Sequence, residues 1–334
     1  MKKNDLNLTV QELVEKRNSI KTLFTAGPAS LLPQNLTGIR PCFGRGDIDY
    51  ENVENIVLSG LKEMSGHSKI ARLQGSASLA LEIAALNFLY GRVLLVDSGY
   101  YSDRLKLLTE SSMRRLGKIT HIDTVPWKDI NDVTGNFDWV WACSTETSMG
   151  IKIPIESLSI LSNNTNSRLM LDATASIGLE DHHNLADVIA YSSCKGLFGL
   201  TGACFIAFND LPQHEVDSFY LSLKSHLERG MTGPYHAITS LLDVLPEHNT
   251  IRESVVDNKH KFMQKMKDRL TQPDINQPLL CTHVNCNIVS GDKSSVMYKP
   301  RNNLRGSIIC HLGEIHKKKE HQGEILENLR IEEL

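Results

Sequence analysis

One carboxylate and one amine, each placed where an apolar stretch runs out into a loop, carry the first chemical signal in this chain. Asp172 closes the run Leu169-Met170-Leu171-Asp172, and Lys195 follows Tyr191-Ser192-Ser193-Cys194. An amine can capture an aldehyde as a Schiff base, and a carboxylate can keep a pyridinium nitrogen protonated so that its ring accepts electrons. Together they suit pyridoxal phosphate. Each also has a plainer reading alone, since strand-end aspartates usually cap turns and most lysines are solvated.

Two further segments fit the same chemistry. Gln74-Gly75-Ser76-Ala77-Ser78 precedes the helix-like run Leu79–Leu86. Small residues at a helix start expose backbone N–H groups to an anion, which the helix dipole also favours. The plainer alternative is an ordinary cap, with Ser76 or Ser78 bonded to the first turn. Downstream, Val93-Leu94-Leu95-Val96-Asp97 reads as a buried parallel strand followed by Ser98-Gly99-Tyr100-Tyr101-Ser102. A tyrosine there can lie flat on a cofactor ring or serve as a surface anchor.

In order along the chain, Thr25-Ala26-Gly27-Pro28, Leu73–Ser78, Ser98–Arg104, Glu146-Thr147-Ser148-Met149-Gly150, Leu171-Asp172-Ala173 and Asp187 through Gly202 form a set. Asp187 stands eight residues ahead of Lys195. The set resembles the class V branch of the fold-type I pyridoxal-phosphate enzymes, closest to the 2-aminoethylphosphonate–pyruvate transaminases. The resemblance implies a Schiff base on Lys195, which also shuttles the proton, and Asp172 at the pyridinium. It further implies Ser76, Ala77 and Ser192 or Ser193 at the cofactor phosphate, Tyr101 stacked on the ring, and Thr147 near the ring hydroxyl. Gly27, Pro28 and Ser30 would sit over the substrate. Thr232 in Gly230-Met231-Thr232-Gly233 would reach the phosphate of a neighbouring subunit, which implies a homodimer with shared sites.

Composition agrees with a cytoplasmic enzyme. The chain has 334 residues, 41% hydrophobic, enough for a large core and more than one typical domain. A net charge of −3 argues against nucleic acid as partner, and no apolar run is long enough to span a membrane. The polar start Met1–Asp5 lacks the apolar core of a signal peptide. Seven irregularly spaced cysteines suit a reducing compartment. In Cys281-Thr282-His283-Val284-Asn285-Cys286 the alternation favours a strand over a zinc site, so no metal is expected.

Helical stretches alternate with apolar strands at 137–143, 167–172, 188–192 and 203–208, which predicts an α/β fold with a mostly parallel, helix-covered sheet. The ligand then belongs at the carboxyl ends of the strands. The expected organisation is a helical arm over 1–23, a large cofactor-binding domain over 24–235 and a shortened small α+β domain over 236–334.

The last third departs from the family. Only a short polar link joins Asn287-Ile288-Val289 to Met297-Tyr298-Lys299-Pro300, where relatives have a helix. The position of the family's anion-gripping arginine holds Ile308. Arg305, three residues away, is the expected substitute, ahead of Arg301 and Arg45. The resemblance thus implies transamination of a small amine such as 2-aminoethylphosphonate, with a 2-oxo acid such as pyruvate as acceptor. A lyase or desulfurase reaction, with Cys310 as the late-chain thiol, and a non-catalytic cofactor binder remain open alternatives.

Overall fold

A computed structural model describes residues 8–41, 46–229, 231–313, 315 and 327–332. The chain begins with α1 (Val10–Asn18), β1 (Thr22–Phe24), α2 (Pro33–Thr37) and α3 (Ile48–Ser65). Strands and helices then alternate: β2 (Lys69–Gln74), α4 (Ala77–Phe88), β3 (Gly91–Asp97), α5 (Tyr100–Leu116), β4 (Ile119–Pro126) and β5 (Trp139–Cys143). The small hairpin β6 (Thr145–Glu146) and β7 (Ile151–Lys152) leads to α6 (Ile155–Asn164), β8 (Arg168–Asp172), β9 (Val188–Ser192) and β10 (Ala203–Phe208). There follow α7 (Leu223–Glu228), α8 (Tyr235–Thr239), α9 (His248–Lys265), β11 (Cys281–Val284), β12 (Asn287–Ser290), β13 (Ser295–Met297), β14 (Ser307–Cys310) and β15 (Leu329–Glu332).

Seven strands form the central sheet in the order β2-β10-β9-β8-β5-β3-β4, parallel except for β10. Alternate residues of each strand feed two cores. Leu169 and Leu171 of β8 face α3 and α6, and Met170 between them faces α4. Trp139 and Trp141 of β5 pack on the α4 side, while Val140 and Ala142 pack on the other. Because helices cover both faces, the parallel strands β5, β8 and β9 and the reversed strand β10 are all apolar almost throughout.

The remaining strands form three two-stranded sheets around α9: β11 with β14, β12 with β15, and β1 with β13. The expected amino-terminal arm is therefore helical only in part. Its last residues form β1, which runs parallel to β13 with Thr22 opposite Ser295. The polar link after β12 is a turn, closed by Ser290 Oγ donating to Ser295 Oγ at 2.9 Å and by Ser294 N donating to Asp292 Oδ1 at 2.8 Å. No helix among the described residues is long and apolar enough to cross a membrane.

Candidate active site

Reversal of β10 brings its first residue to the rim where the parallel strands end, with Ala203 opposite Gln74 of β2 and Cys204 opposite Ser192 of β9. At this rim lies a cavity of about 390 Å³. Residues just past the strand ends line it: Gly75, Ser76 and Ala77 after β2, Thr145 and Thr147 after β5, Thr174 after β8, and Lys195 after β9. Asp172, the last residue of β8, also lines it.

At one end, Ser76 is the N-cap of α4 and makes no side-chain capping bond, which leaves its hydroxyl and the amides of Ala77 and Ser78 to an anion, while Leu79 N donates to Ser76 O at 2.9 Å. Gly75 N donates to Gly202 O at 3.0 Å and ties this turn to the loop after Lys195. Ser192 lines the cavity; Ser193 does not, and its hydroxyl is held by Leu200 O and Ala203 O.

Lys195 is approached from two sides. Gly27 has φ +140°, and a Cβ there would lie 3.0 Å from the lysine Cγ. Only glycine combines that backbone with that proximity. Ala29 N donates to Cys194 O at 2.8 Å, which pins the Gly27 loop to the lysine's own segment. From behind, His248 Nε2 lies 2.7 Å from Gly196 O, and burial holds this histidine's pKa below the usual value.

Tyr101, in the first turn of α5, lines the cavity with Lys195 Nζ 5.7 Å from its ring centroid. Its position depends on Glu146, a wholly buried carboxylate that accepts from Tyr101 N at 2.9 Å, Ser102 N at 3.2 Å and Ser148 N at 3.2 Å. Burial raises the Glu146 pKa, and these donors oppose the rise. Asp172, 2% exposed, accepts from Thr174 N through Oδ1 at 3.0 Å and from Arg104 Nη2 through Oδ2 at 2.6 Å.

Other residues named from the sequence stand elsewhere. Ser30 donates to Gly313 O at 3.2 Å and does not line the cavity. Thr232 is exposed and also outside it. Arg305 is exposed and lines no part of the cavity; its carbonyl accepts from His283 Nε2 at 2.9 Å. Ile308 is 1% exposed, inside the core against β11. Arg301 lines the cavity instead, with Nη1 3.1 Å from the Tyr100 hydroxyl and its guanidinium 5.2 Å from that ring's centroid. Arg45 lies outside the described residues. Cys310 is buried opposite Cys281 and does not line the cavity.

The sequence reading placed Thr147 near the ring hydroxyl but gave no role to Arg104, Thr145 or Thr174. Arg104 stands three residues after Tyr101, a spacing that puts both on one helix face and was a usable signal. The hydroxyls of Thr145, Thr147 and Thr174 are buried without a hydrogen-bond partner among the described residues, and all three residues line the cavity. Orphaned buried hydroxyls want a polar occupant. An anion cradle, an amine, a carboxylate, a facing aromatic ring and unpaired hydroxyls together fit pyridoxal phosphate.

No protein-family model matches the chain. An uncharacterized aminotransferase of Helicobacter pylori (strain ATCC 700392 / 26695) is 24% identical over 230 residues, 64% of this chain and 62% of that protein. The 2-aminoethylphosphonate–pyruvate transaminase of Pseudomonas aeruginosa (strain PAO1) is 27% identical over 198 residues, 55% of this chain and 53% of that protein. The chain thus spans 62% or less of the length of these curated relatives. Among solved structures, an alanine–glyoxylate aminotransferase from Nostoc sp. superposes with a TM-score of 0.75 at 16% identity, covering 92% of this chain and 93% of that one. The fold is that of the fold-type I pyridoxal-phosphate aminotransferases. The resemblance to their class V branch, read from the motifs, is borne out, and the 2-aminoethylphosphonate transaminases are among the similar proteins.

Proposed function

We propose that this chain is a pyridoxal-phosphate-dependent aminotransferase that takes the amino group of a small, anion-bearing amine and passes it to a 2-oxo acid. The observation that carries this reading is the convergence of Lys195, Asp172 and Tyr101 on one cavity whose far end is the first turn of α4. When bound, the cofactor supplies an electron sink for the pair of electrons left at the substrate carbon. The protein's residues do the rest. Ser76, Ala77 and Ser192 hold the phosphate end, Tyr101 fixes the plane of the ring, and Asp172 holds a proton at the ring nitrogen. Lys195 Nζ would hold the cofactor covalently and, once free as an amine, would serve as the base that carries a proton from the substrate carbon across the intervening nitrogen.

Among the described residues, three cations line the cavity: Lys195, Arg104 and Arg301. Lys195 is committed to the cofactor and Arg104 is neutralised by Asp172 at 2.6 Å. Arg301, bonded to the Tyr100 hydroxyl rather than to a carboxylate, is left to meet an anionic substrate group. Its place at the rim supports amines carrying a carboxylate or phosphonate, with 2-aminoethylphosphonate the leading candidate by resemblance and pyruvate the matching acceptor.

The same reading divides the chain at 23/24 and 235/236 and makes the enzyme a cytoplasmic homodimer. The exposed Thr232, on a segment anchored by Arg72 donating to Met231 O at 3.1 Å, would face the partner's phosphate end. The test is a panel of amines, including 2-aminoethylphosphonate, alanine and serine, added to protein reconstituted with pyridoxal phosphate. Conversion of the bound cofactor to its pyridoxamine form by one of them supports transamination. A stable chromophore that no amine converts would overturn it.

A further inference from the structure

Arg104 touches three parts of the site at once. Its Nη2 donates to Asp172 Oδ2 at 2.6 Å, and its Nη1 donates to Ser78 Oγ at 3.2 Å in the first turn of α4. Its guanidinium lies 5.0 Å from the centroid of the Tyr101 ring, which Lys195 Nζ also faces. The Nε atom is buried without a hydrogen-bond partner among the described residues. One side chain therefore spans the ring-nitrogen end, the stacking ring and the phosphate end.

The geometry points to Arg104 as a positioning residue that keeps Asp172 ionised and aimed at the ring nitrogen of pyridoxal phosphate. This rests on the cofactor reading given above. A carboxylate that is 2% exposed cannot stay charged on hydration, so it needs a fixed cation whether or not the cofactor is present. A guanidinium serves better than an ammonium because its planar fork fixes direction as well as charge. Thr174 N holds the other oxygen at 3.0 Å, so both oxygens are oriented before any ring arrives. The titratable groups facing Asp172 are Arg104 from α5, Cys143 from β5 and Lys195 from the loop after β9. Burial drives the Cys143 thiol upward, so it adds no charge. Lys195 is consumed by the cofactor linkage. Arg104 alone among these three remains a full cation after the cofactor binds. Burial works against its charge, but its neighbours, Asp172 at 2.6 Å foremost, together raise its pKa.

Without Arg104 the buried carboxylate takes up a proton more readily and turns from acceptor to donor, which a protonated ring nitrogen cannot use. The experiment compares the unaltered protein with Arg104→Met, Arg104→Lys, Asp172→Asn and the Arg104→Met/Asp172→Asn double variant. Pyridoxal phosphate affinity is measured by absorbance titration at several pH values, and turnover is measured on the same samples. Arg104→Met is expected to bind the cofactor at least tenfold more weakly at pH 6 and to recover at higher pH as Asp172 ionises. This acidic limb should be absent from the unaltered protein. Arg104→Lys should recover most of the loss, and Asp172→Asn should add little to Arg104→Met. Melting curves without cofactor guard against misfolding. If Arg104→Met does not fold, the Arg104→Lys affinity profile and its coupling to Asp172→Asn decide the matter. An unchanged pH profile in the Arg104 variants, or fully additive losses with Asp172→Asn, overturns the proposal alone. Failure of the unaltered protein to bind pyridoxal phosphate overturns the cofactor reading and this proposal together.

Discussion

At the scale of single residues, the site depends on what surrounds Lys195 as much as on the amine. Lys195→Ala should abolish turnover and the borohydride-reducible linkage to pyridoxal phosphate; a surviving linkage would assign it to another residue. Gly27→Ala is the sharper test of geometry. It forces a side chain into φ +140° and against the lysine Cγ, at a cost of about 1–3 kcal/mol. A lower melting temperature together with weaker cofactor capture is expected, and wild-type values for both would show that the loop accommodates a methyl group. Arg301→Ala should raise the KM for an anionic amine about tenfold while kcat changes little, because the contact holds the substrate remote from the reacting carbon. The effect should shrink at high salt, since Arg301 is exposed. Equal kinetics toward anionic and neutral amines in both proteins would remove Arg301 from the substrate site.

At the scale of elements, what could be read in advance follows a physical division. Strands β9 and β10 occur at the expected residues, and β5 and β8 within two, because burial on both faces leaves continuous apolar runs bounded by polar ones. Lys195, Asp172, Tyr101 and Ser76 could be placed at the cavity from the sequence for a related reason, since each lies at or just beyond the end of such a run or at a helix start. The parallel pairing of β1 with β13 was not legible, because neither three-residue strand announces a partner more than 250 residues away. That pairing delivers Arg301, rather than Arg305, to the rim. Local spacing favoured Arg305, and a long-range sheet decided otherwise. The start of α5 shows the same dependence on a distant group, for its first amides are satisfied by Glu146 from the β6 hairpin. Glu146→Gln should destabilise the protein by about 2–3 kcal/mol, since an amide can present only one oxygen to several buried donors. Denaturant unfolding measures this, and a midpoint unchanged by the substitution would mean that the donors find water.

At the scale of the whole molecule, buried histidines set the acid limit. Burial lowers the pKa of His183 to about 4 and that of His311 to about 3, both from 6.5. Ser176 Oγ stands 2.9 Å from His183 Nε2, and Thr282 Oγ1 stands 2.9 Å from His311 Nε2. Both folded-state values lie below the unfolded one, so between pH 6.5 and about 4 the unfolded chain binds more protons than the folded chain. Stability is therefore complete above pH 6.5 and falls as the pH drops through that window, by about 3 kcal/mol for each histidine. Melting temperature against pH should show the decline, and His183→Gln should flatten its slope. A slope unchanged by His183→Gln would assign the acid limit to other groups.

The reversed strand β10 has a consequence for how the molecule assembles. Its pairing with β9 is local, so closing the hairpin that bears Lys195 costs little chain entropy. Its pairing with β2 joins residues about 130 positions apart, a slow encounter for a chain of this size. Only that second pairing brings the first turn of α4 beside the lysine's loop, through Gly75 N and Gly202 O. A cofactor that grips both ends recognises the sheet only after its last strand has docked. Pyridoxal phosphate added during refolding should therefore leave the folding rate unchanged and slow unfolding, and faster folding with the cofactor present would overturn this order.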